Sequence, residues 1–171
     1  MHTRCTQNAQ VMASQKPHHF FAKSPPTPHW SDHRVHRLLG PSLRGATREQ
    51  TDARLQLELR HGAEHGVQYW PTFHGSDEFV GAVGLRMHDE YPELGFHLRP
   101  ENWQQGYAVE AASSVLDHAF SMLALEFVVA GHHPANVASQ RTIERLGFTH
   151  THVGEFEGEP DVKKELSDTF Y

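Results

Sequence analysis

The hydrophobic period of this chain changes sharply near its middle. From Glu93 to Arg99, apolar residues alternate with charged or small ones, a period of two that predicts a half-buried strand. The apolar run Phe127–Ala130 predicts a strand covered on both faces. Between them, apolar residues recur every three or four positions and predict an amphipathic helix: Ala108, Ala111, Ala112, Val115, Leu116, Ala119, Phe120 and Leu123. A strand, a helix and a strand in this order predict a parallel crossover.

The segments on either side complete a mixed α/β pattern. Thr47 and Gln50 form a capping-box pattern at the start of a helix expected over Thr47–Gly62, with Gly62 and Gly66 as stop signals. Asn136 and Gly147 mark the start and the end of another helix. Short links before Glu93 favour antiparallel pairing there. The remaining expected strands span residues 67–73, 78–86, 148–156 and 163–171.

Length and composition limit the class of protein. With 171 residues, of which 37% are hydrophobic, one globular domain is expected over residues 41–171. The breaker cluster Lys23–Pro28 predicts a divergent or loosely structured region over residues 1–40. The polar start and the single cysteine, Cys5, predict a cytoplasmic protein without a disulfide. A net charge of −6 and the lack of a long apolar run predict that neither nucleic acid nor a membrane is a partner.

Histidine is unusually frequent, with 16 residues. Two pairs have the spacing of metal ligands: His61 with His65 on a helix, and His150 with His152 on a strand. Metal sites normally add Cys, Asp or Glu at fixed spacing, and the sequence carries no such signature. We therefore expect no metal site and attribute the histidines to composition.

The segment from Trp103 to Ala111 lies where the alternating strand gives way to the long helix. The first amides of a helix have no partners within it and carry the positive end of the helix dipole. Gly106 would let a phosphate approach the backbone, and the small Ala108 would keep the first turn uncrowded. The segment can thus bind a pyrophosphate, although an ordinary helix start would have the same appearance. Further along the chain, a helix cap and a helix stop are sufficient to explain Asn136 and Gly147.

Taken together, these segments resemble the GNAT acetyltransferase superfamily, and within it the branch that acetylates the N-termini of ribosomal proteins. Three ordered motifs carry the resemblance, which covers roughly residues 67–165. The family's strand before the loop is similar to Glu93–Phe96. The acyl-CoA loop is matched by Trp103, Gly106, Tyr107, Ala108, Glu110 and Ala111. The later signature is matched by Asn136, Ser139, Leu146, Gly147 and Phe148.

The resemblance implies a fold and a cofactor. The fold is a mixed, mostly antiparallel central sheet with helices on both faces and a splay between the strands at 93–99 and 127–130. The cofactor is acetyl-CoA, the acyl donor, with its pyrophosphate on the loop and its pantetheine along the strand. The cofactor-binding residues are then Phe96, His97, Leu98, Gln104, Gln105, Gly106, Tyr107, Ala108, Asn136 and Ser139.

The same resemblance suggests how a proton leaves the acceptor amine. Glu93 and His97 share one face of their strand and are both candidates for the base, with water as the alternative. We prefer Glu93, because a carboxylate attracts an ammonium ion. Ser139 matches the position of the branch's candidate proton donor to the departing thiolate. Ile143 stands where many relatives have a tyrosine. Gln104 is a second departure, since the branch usually has glycine there.

The leading hypothesis is direct acetyl transfer to a primary amine, with a protein N-terminal α-amine as the acceptor. One alternative is the same chemistry on a small-molecule amine, and another is a non-catalytic acyl-CoA-binding protein. The expected partners are acetyl-CoA and an amine acceptor. The sequence leaves open whether the chain forms a homodimer.

Overall fold

A six-stranded mixed sheet forms the centre of the computed structural model, which describes residues 32–37, 47–75, 78–88, 91–156 and 159–167. The strands lie in the order β1-β2-β3-β4-β6-β5. Their bounds are Tyr69–His74 for β1, Glu78–His88 for β2, Tyr91–Leu98 for β3, Phe127–His132 for β4, Thr149–Phe156 for β5 and Glu159–Ser167 for β6. The helices are α1 (His33–His36), α2 (Arg48–His65), α3 (Tyr107–Ser121) and α4 (Val137–Arg145).

The sheet consists of two antiparallel halves. Strands β1, β2 and β3 form a meander, and β4, β6 and β5 form the other half. The last strand begins at Glu159 rather than at Lys163, because a tight hairpin already pairs Phe156 with Glu159. Residues 168–171, where the predicted strand was to end, lie outside the described part of the chain.

The two halves meet at β3 and β4, which run parallel. Within the described ranges these strands pair only at Glu93 with Val129 and at Leu94 with Ala130. By contrast, β3 pairs with β2 over its whole length. The strands therefore diverge beyond Leu94, and the predicted splay is confirmed. The prediction that β4 is covered on both faces was wrong, because burial alternates along it and Val129 on the open face is only half-buried.

Helix α3 covers one face of the sheet at this junction. Its apolar side joins a core built with residues from β2, β3, β4 and α4: Ala112, Val115, Leu116, Ala119, Leu85, Leu94, Val128, Ala130 and Ile143. Each fully buried large aliphatic side chain stabilises the fold by roughly 1.5–3 kcal/mol. The strand–helix–strand unit is thereby held as one packed body.

Helix α2 covers the opposite face. Thr47 and Gln50 form the predicted capping box. The helix continues past Gly62 to His65, and the second predicted stop signal, Gly66, caps it in the left-handed region at φ 74°. Buried Glu58 accepts a hydrogen bond from the backbone N–H of Tyr69 at 3.1 Å and binds the guanidinium of Arg86. This polar contact fixes α2 on the edge of the meander.

The N-terminal region is described only in part. Helix α1 lies in the described part of this region, and Arg34 contacts Glu101 at 3.4 Å. Residues 1–31 and 38–46 lie outside the described ranges. The loose structure expected over residues 1–40 therefore stays a prediction. None of the helices in the described ranges has the length and apolar composition that a membrane crossing requires.

We expect Glu58→Leu to lower the free energy of unfolding by about 3–5 kcal/mol, because it leaves the Arg86 guanidinium buried without its counter-charge. Urea denaturation measures the loss. The matched control is Glu64→Gln on the same helix, where the side chain is 62% exposed, and its effect should stay within about 0.5 kcal/mol. Equal stability of the two variants would contradict the structural role of Glu58.

Candidate active site

The backbone of β3 presents polar groups to the splay. Arg99 donates its N–H to the Val80 carbonyl at 2.9 Å, and the antiparallel register continues without a break from there. Because the hydrogen-bonding direction alternates along a strand, Phe96 and Leu98 point their N–H and C=O groups away from β2. The strand therefore offers the N–H of Phe96 to a ligand in the gap, where it can stabilise negative charge on a carbonyl oxygen. His97 differs, since its backbone groups face β2.

The loop that follows β3 is held against the end of that strand. Trp103 donates its indole N–H to the Leu98 carbonyl at 2.9 Å, and Gln105 donates its amide to the Glu101 carbonyl at 2.8 Å. Gln104 and Gly106 both have positive φ, at 61° and 87°. The left-handed backbone at 104 is a conformation that favours glycine, and it costs glutamine about 1 kcal/mol.

Helix α3 begins directly after this loop, so its first amides face the mouth of the splay. A Cβ built on Gly106 would meet nothing within 4 Å, and the outer side of the loop is thus open. The predicted pyrophosphate-binding residues Gln104, Gln105, Gly106, Tyr107 and Ala108 are contiguous at this point. An exposed helix N-terminus of this kind has the geometry for a phosphate group.

Helix α4 approaches the other side of the splay with its own N-terminus. Asn136 is the N-cap, and its Oδ1 accepts the N–H of Ser139 at 3.1 Å. Its amide NH₂ is thus the group that can donate to a pantetheine carbonyl. Ser139 is half-buried in the first turn, and Ile143 is fully buried in the core. The side chain at 143 therefore supplies no acid.

Glu93 and His97 share one face of β3, as predicted, and this is the face of the sheet that α2 covers. The Glu93 carboxylate lies 3.0 Å from the Nε2 of His88, and its side chain is only 14% exposed. The His97 ring instead stacks on Tyr69, with ring centroids 5.4 Å apart. The structure therefore places both candidates on one face but in separate contacts.

Three residues of this face were missed by the sequence reasoning: Tyr69, Arg86 and His88. The Arg86 guanidinium lies 5.4 Å from the centre of the Tyr69 ring. Burial raises the pKa of Tyr69 to about 12, so this phenol is protonated at neutral pH. Cross-strand register brings these side chains to Glu93. The one local signal of this register in the sequence was a pair of glycines on adjacent strands, Gly84 and Gly95.

The histidines form no metal site in the part of the chain that the structure describes. His61 and His65 lie together on α2 with ring centroids 5.9 Å apart. A group of at least three His, Cys, Asp or Glu residues that could hold a metal ion is absent from the described residues.

A family profile described as an acetyltransferase (GNAT) domain matches residues 22–149. The chain belongs to the GNAT acetyltransferase family. It is 33% identical over 102 residues to an uncharacterized N-acetyltransferase, YoaA, of Bacillus subtilis (strain 168). The aligned region covers 58% of this chain and 55% of that protein. The chain spans about half the length of the curated relatives it matches.

Solved structures show the same fold. A GNAT-family acetyltransferase from Bacillus anthracis has a TM-score of 0.70 and 21% identity, with coverage of 83% of this chain and 87% of that one. A protein described as a putative ribosomal-protein-serine acetyltransferase from Vibrio cholerae has a TM-score of 0.61 and 19% identity, with coverage of 71% and 75%. At these identities the likeness is one of fold.

We expect Gly106→Asp to weaken acetyl-CoA binding at least tenfold, because a carboxylate would occupy the open side of the loop and repel a pyrophosphate. Isothermal titration calorimetry measures the affinity. Gly75→Asp is the matched control, because Gly75 also has positive φ and also has nothing within 4 Å of a built Cβ. If both variants bind acetyl-CoA as tightly as the wild type, the loop does not hold the pyrophosphate.

Proposed function

We propose that this chain transfers an acetyl group from acetyl-CoA directly to a primary amine, and that the acceptor is a protein N-terminal α-amine. The observation that carries the proposal is the splay between β3 and β4, with Glu93 at its closed end and the α3 N-terminus at its open end. This arrangement supplies a channel for an extended acyl donor and a carboxylate where the channel closes.

Binding of the donor would use the backbone more than charged side chains. The amides of Gln104 to Ala108 would hold the pyrophosphate. The pantetheine arm would pair with the backbone groups of Phe96, which face the gap, and would run along Leu98, whose carbonyl already accepts the Trp103 indole N–H. It would also accept a hydrogen bond from Asn136. The His97 side chain stays a predicted contact from the other face.

Transfer then requires a free amine close to the thioester carbon. Glu93 would accept the ammonium proton, directly or through water, and the N–H of Phe96 would stabilise the oxyanion that forms as the amine adds. When the oxyanion collapses, the C–S bond breaks, its electron pair leaves on sulfur as a thiolate, and the nitrogen loses its second proton to water to give the neutral amide. Ser139 stays the proposed proton donor to that thiolate.

We call the face of the sheet that α2 covers, with Tyr69, Arg86, Glu93 and His97, the acceptor face. The charges on it support an α-amine over a polycation. The contacts around Tyr69 include the carboxylates of Glu58 and Glu93, and Arg86 neutralises the first. A polyamine would be better matched by several uncompensated carboxylates. An α-amine, whose ordinary pKa is about 8, is also more often deprotonated at neutral pH than a lysine side chain, whose ordinary pKa is about 10.4. The motif similarity to the ribosomal-protein branch supports the same acceptor class.

A thiol-release assay with acetyl-CoA tests the acceptor. We expect release with short peptides that have a free N-terminus, and none with the same peptides after N-terminal blocking, even when they carry lysine. Spermidine and free amino acids form the comparison panel. Turnover confined to these small amines would replace the protein acceptor with a small-molecule one. Acetyl-CoA binding without turnover on any amine would favour a non-catalytic binder.

We expect Glu93→Gln to lower kcat about a hundredfold at pH 7, because the amide cannot accept the ammonium proton. The loss should shrink as the pH rises past about 8, where more of the acceptor arrives deprotonated. Acetyl-CoA affinity should not change. Glu101→Gln is the matched control, since that side chain is 57% exposed and lies beyond the strand. Full activity of Glu93→Gln across this pH range would remove Glu93 from the mechanism.

A further inference from the structure

Two glycines on adjacent strands form a slot on the acceptor face. Tyr69 pairs with Gly84, and Gly84 pairs with Gly95, so the three residues form one row across β1, β2 and β3. A Cβ on Gly84 would lie 2.5 Å from the Tyr69 Cα. A Cβ on Gly95 would overlap the Tyr69 hydroxyl and would lie 2.7 Å from its Cζ. The phenol therefore crosses β2 and ends on β3.

The Tyr69 ring is held on both sides of this slot. His97 stacks on it with an interplanar angle of 28°, and the Arg86 guanidinium lies 5.4 Å from its centre. Glu58 holds Arg86 and also accepts the N–H of Tyr69. Because ring and backbone are both fixed, the hydroxyl is presented at one place with little conformational freedom left to lose.

That place lies between the two candidate bases. Gly95 is two residues from Glu93 and two from His97, a strand distance of roughly 6.6 Å each way. It is also the first β3 residue beyond the last pair with β4, so the hydroxyl lies at the closed end of the splay. An amine that attacks a thioester in the splay from the α2 face would pass this oxygen.

We propose that the Tyr69 hydroxyl binds the acceptor amine and orients it for attack, an assignment that rests on the function proposed above. The phenolic oxygen accepts a hydrogen bond from an amine N–H, which directs the nitrogen lone pair toward the thioester carbon while Glu93 accepts the proton. Tyr69 itself does not lose its proton. With a pKa of about 12 it stays neutral wherever the enzyme works, and its contribution is independent of pH.

Two variants remove this contact in different ways. Tyr69→Phe deletes the hydroxyl and keeps the ring stack. Gly95→Ala keeps the hydroxyl but displaces it, because its Cβ needs the same space. The matched controls are Tyr91→Phe, which deletes another phenol of the meander, and Gly154→Ala on β5, where the nearest atom to a built Cβ is 3.8 Å away.

We expect Tyr69→Phe to lower kcat/KM for the amine about tenfold, the usual effect of one lost hydrogen bond. The factor should be the same from pH 6.5 to 9.5, unlike the loss in Glu93→Gln. Gly95→Ala should lose at least as much, and the double variant less than the product of the two, because both remove one contact. Acetyl-CoA affinity and both controls should match the wild type.

The outcomes separate this assignment from the transferase function. If the wild type acetylates an amine and Tyr69→Phe does so equally well, the assignment is overturned and the function stands. A loss in Tyr69→Phe that disappears at high pH, or that is accompanied by weaker acetyl-CoA binding, also overturns it. A wild type that acetylates no amine overturns the function and the assignment together. If Gly95→Ala fails to fold, Tyr69→Phe alone decides.

Discussion

The site depends on one constraint, the end of hydrogen bonding between β3 and β4 after Leu94. Each strand is bound along its other edge to its own half of the sheet, β3 to β2 and β4 to β6, so neither can turn to follow the other. The backbone groups of Phe96 are left facing a gap, where a polar group without a partner is costly. A ligand with its own amides satisfies them. Since β3 and β4 are parallel, the helices that follow both start at the open end.

Local pattern was sufficient for most of the fold. The change of period after Arg99, the capping box at Thr47 and the cap at Asn136 all depend on neighbouring residues, and all are confirmed. The wrong predictions were the burial of both faces of β4 and the first residue of β6. Both properties are set by pairing with other strands, which the local sequence does not show. Phe127 and Val129 are as apolar as the residues between them, so only the splay distinguishes the open face of β4 from its core face.

The site was predictable only where it is continuous in sequence. The loop and helix start from Gln104 to Ala108 belong to one segment, and strand alternation alone places Glu93 and His97 on one face. Tyr69 and Arg86 reach that face through a register that no local pattern encodes. The glycines opposite Tyr69 could have indicated it, because small residues in the same row of adjacent strands imply that a large side chain lies across them.

The acceptor face carries a buried ion pair where an apolar contact would pack equally well. Burying such a pair costs desolvation, and its net contribution to stability is often small. The pair of Glu58 and Arg86 has a geometric consequence that an apolar pair would lack, since it fixes both the backbone and the ring of Tyr69. The positive charge of Arg86 also neutralises the negative charge of Glu58. In the proposed function, the carboxylate of Glu93, against His88, would be the acidic group of this cluster that an approaching ammonium meets. The pair would then set position, while Glu93 would supply the attraction.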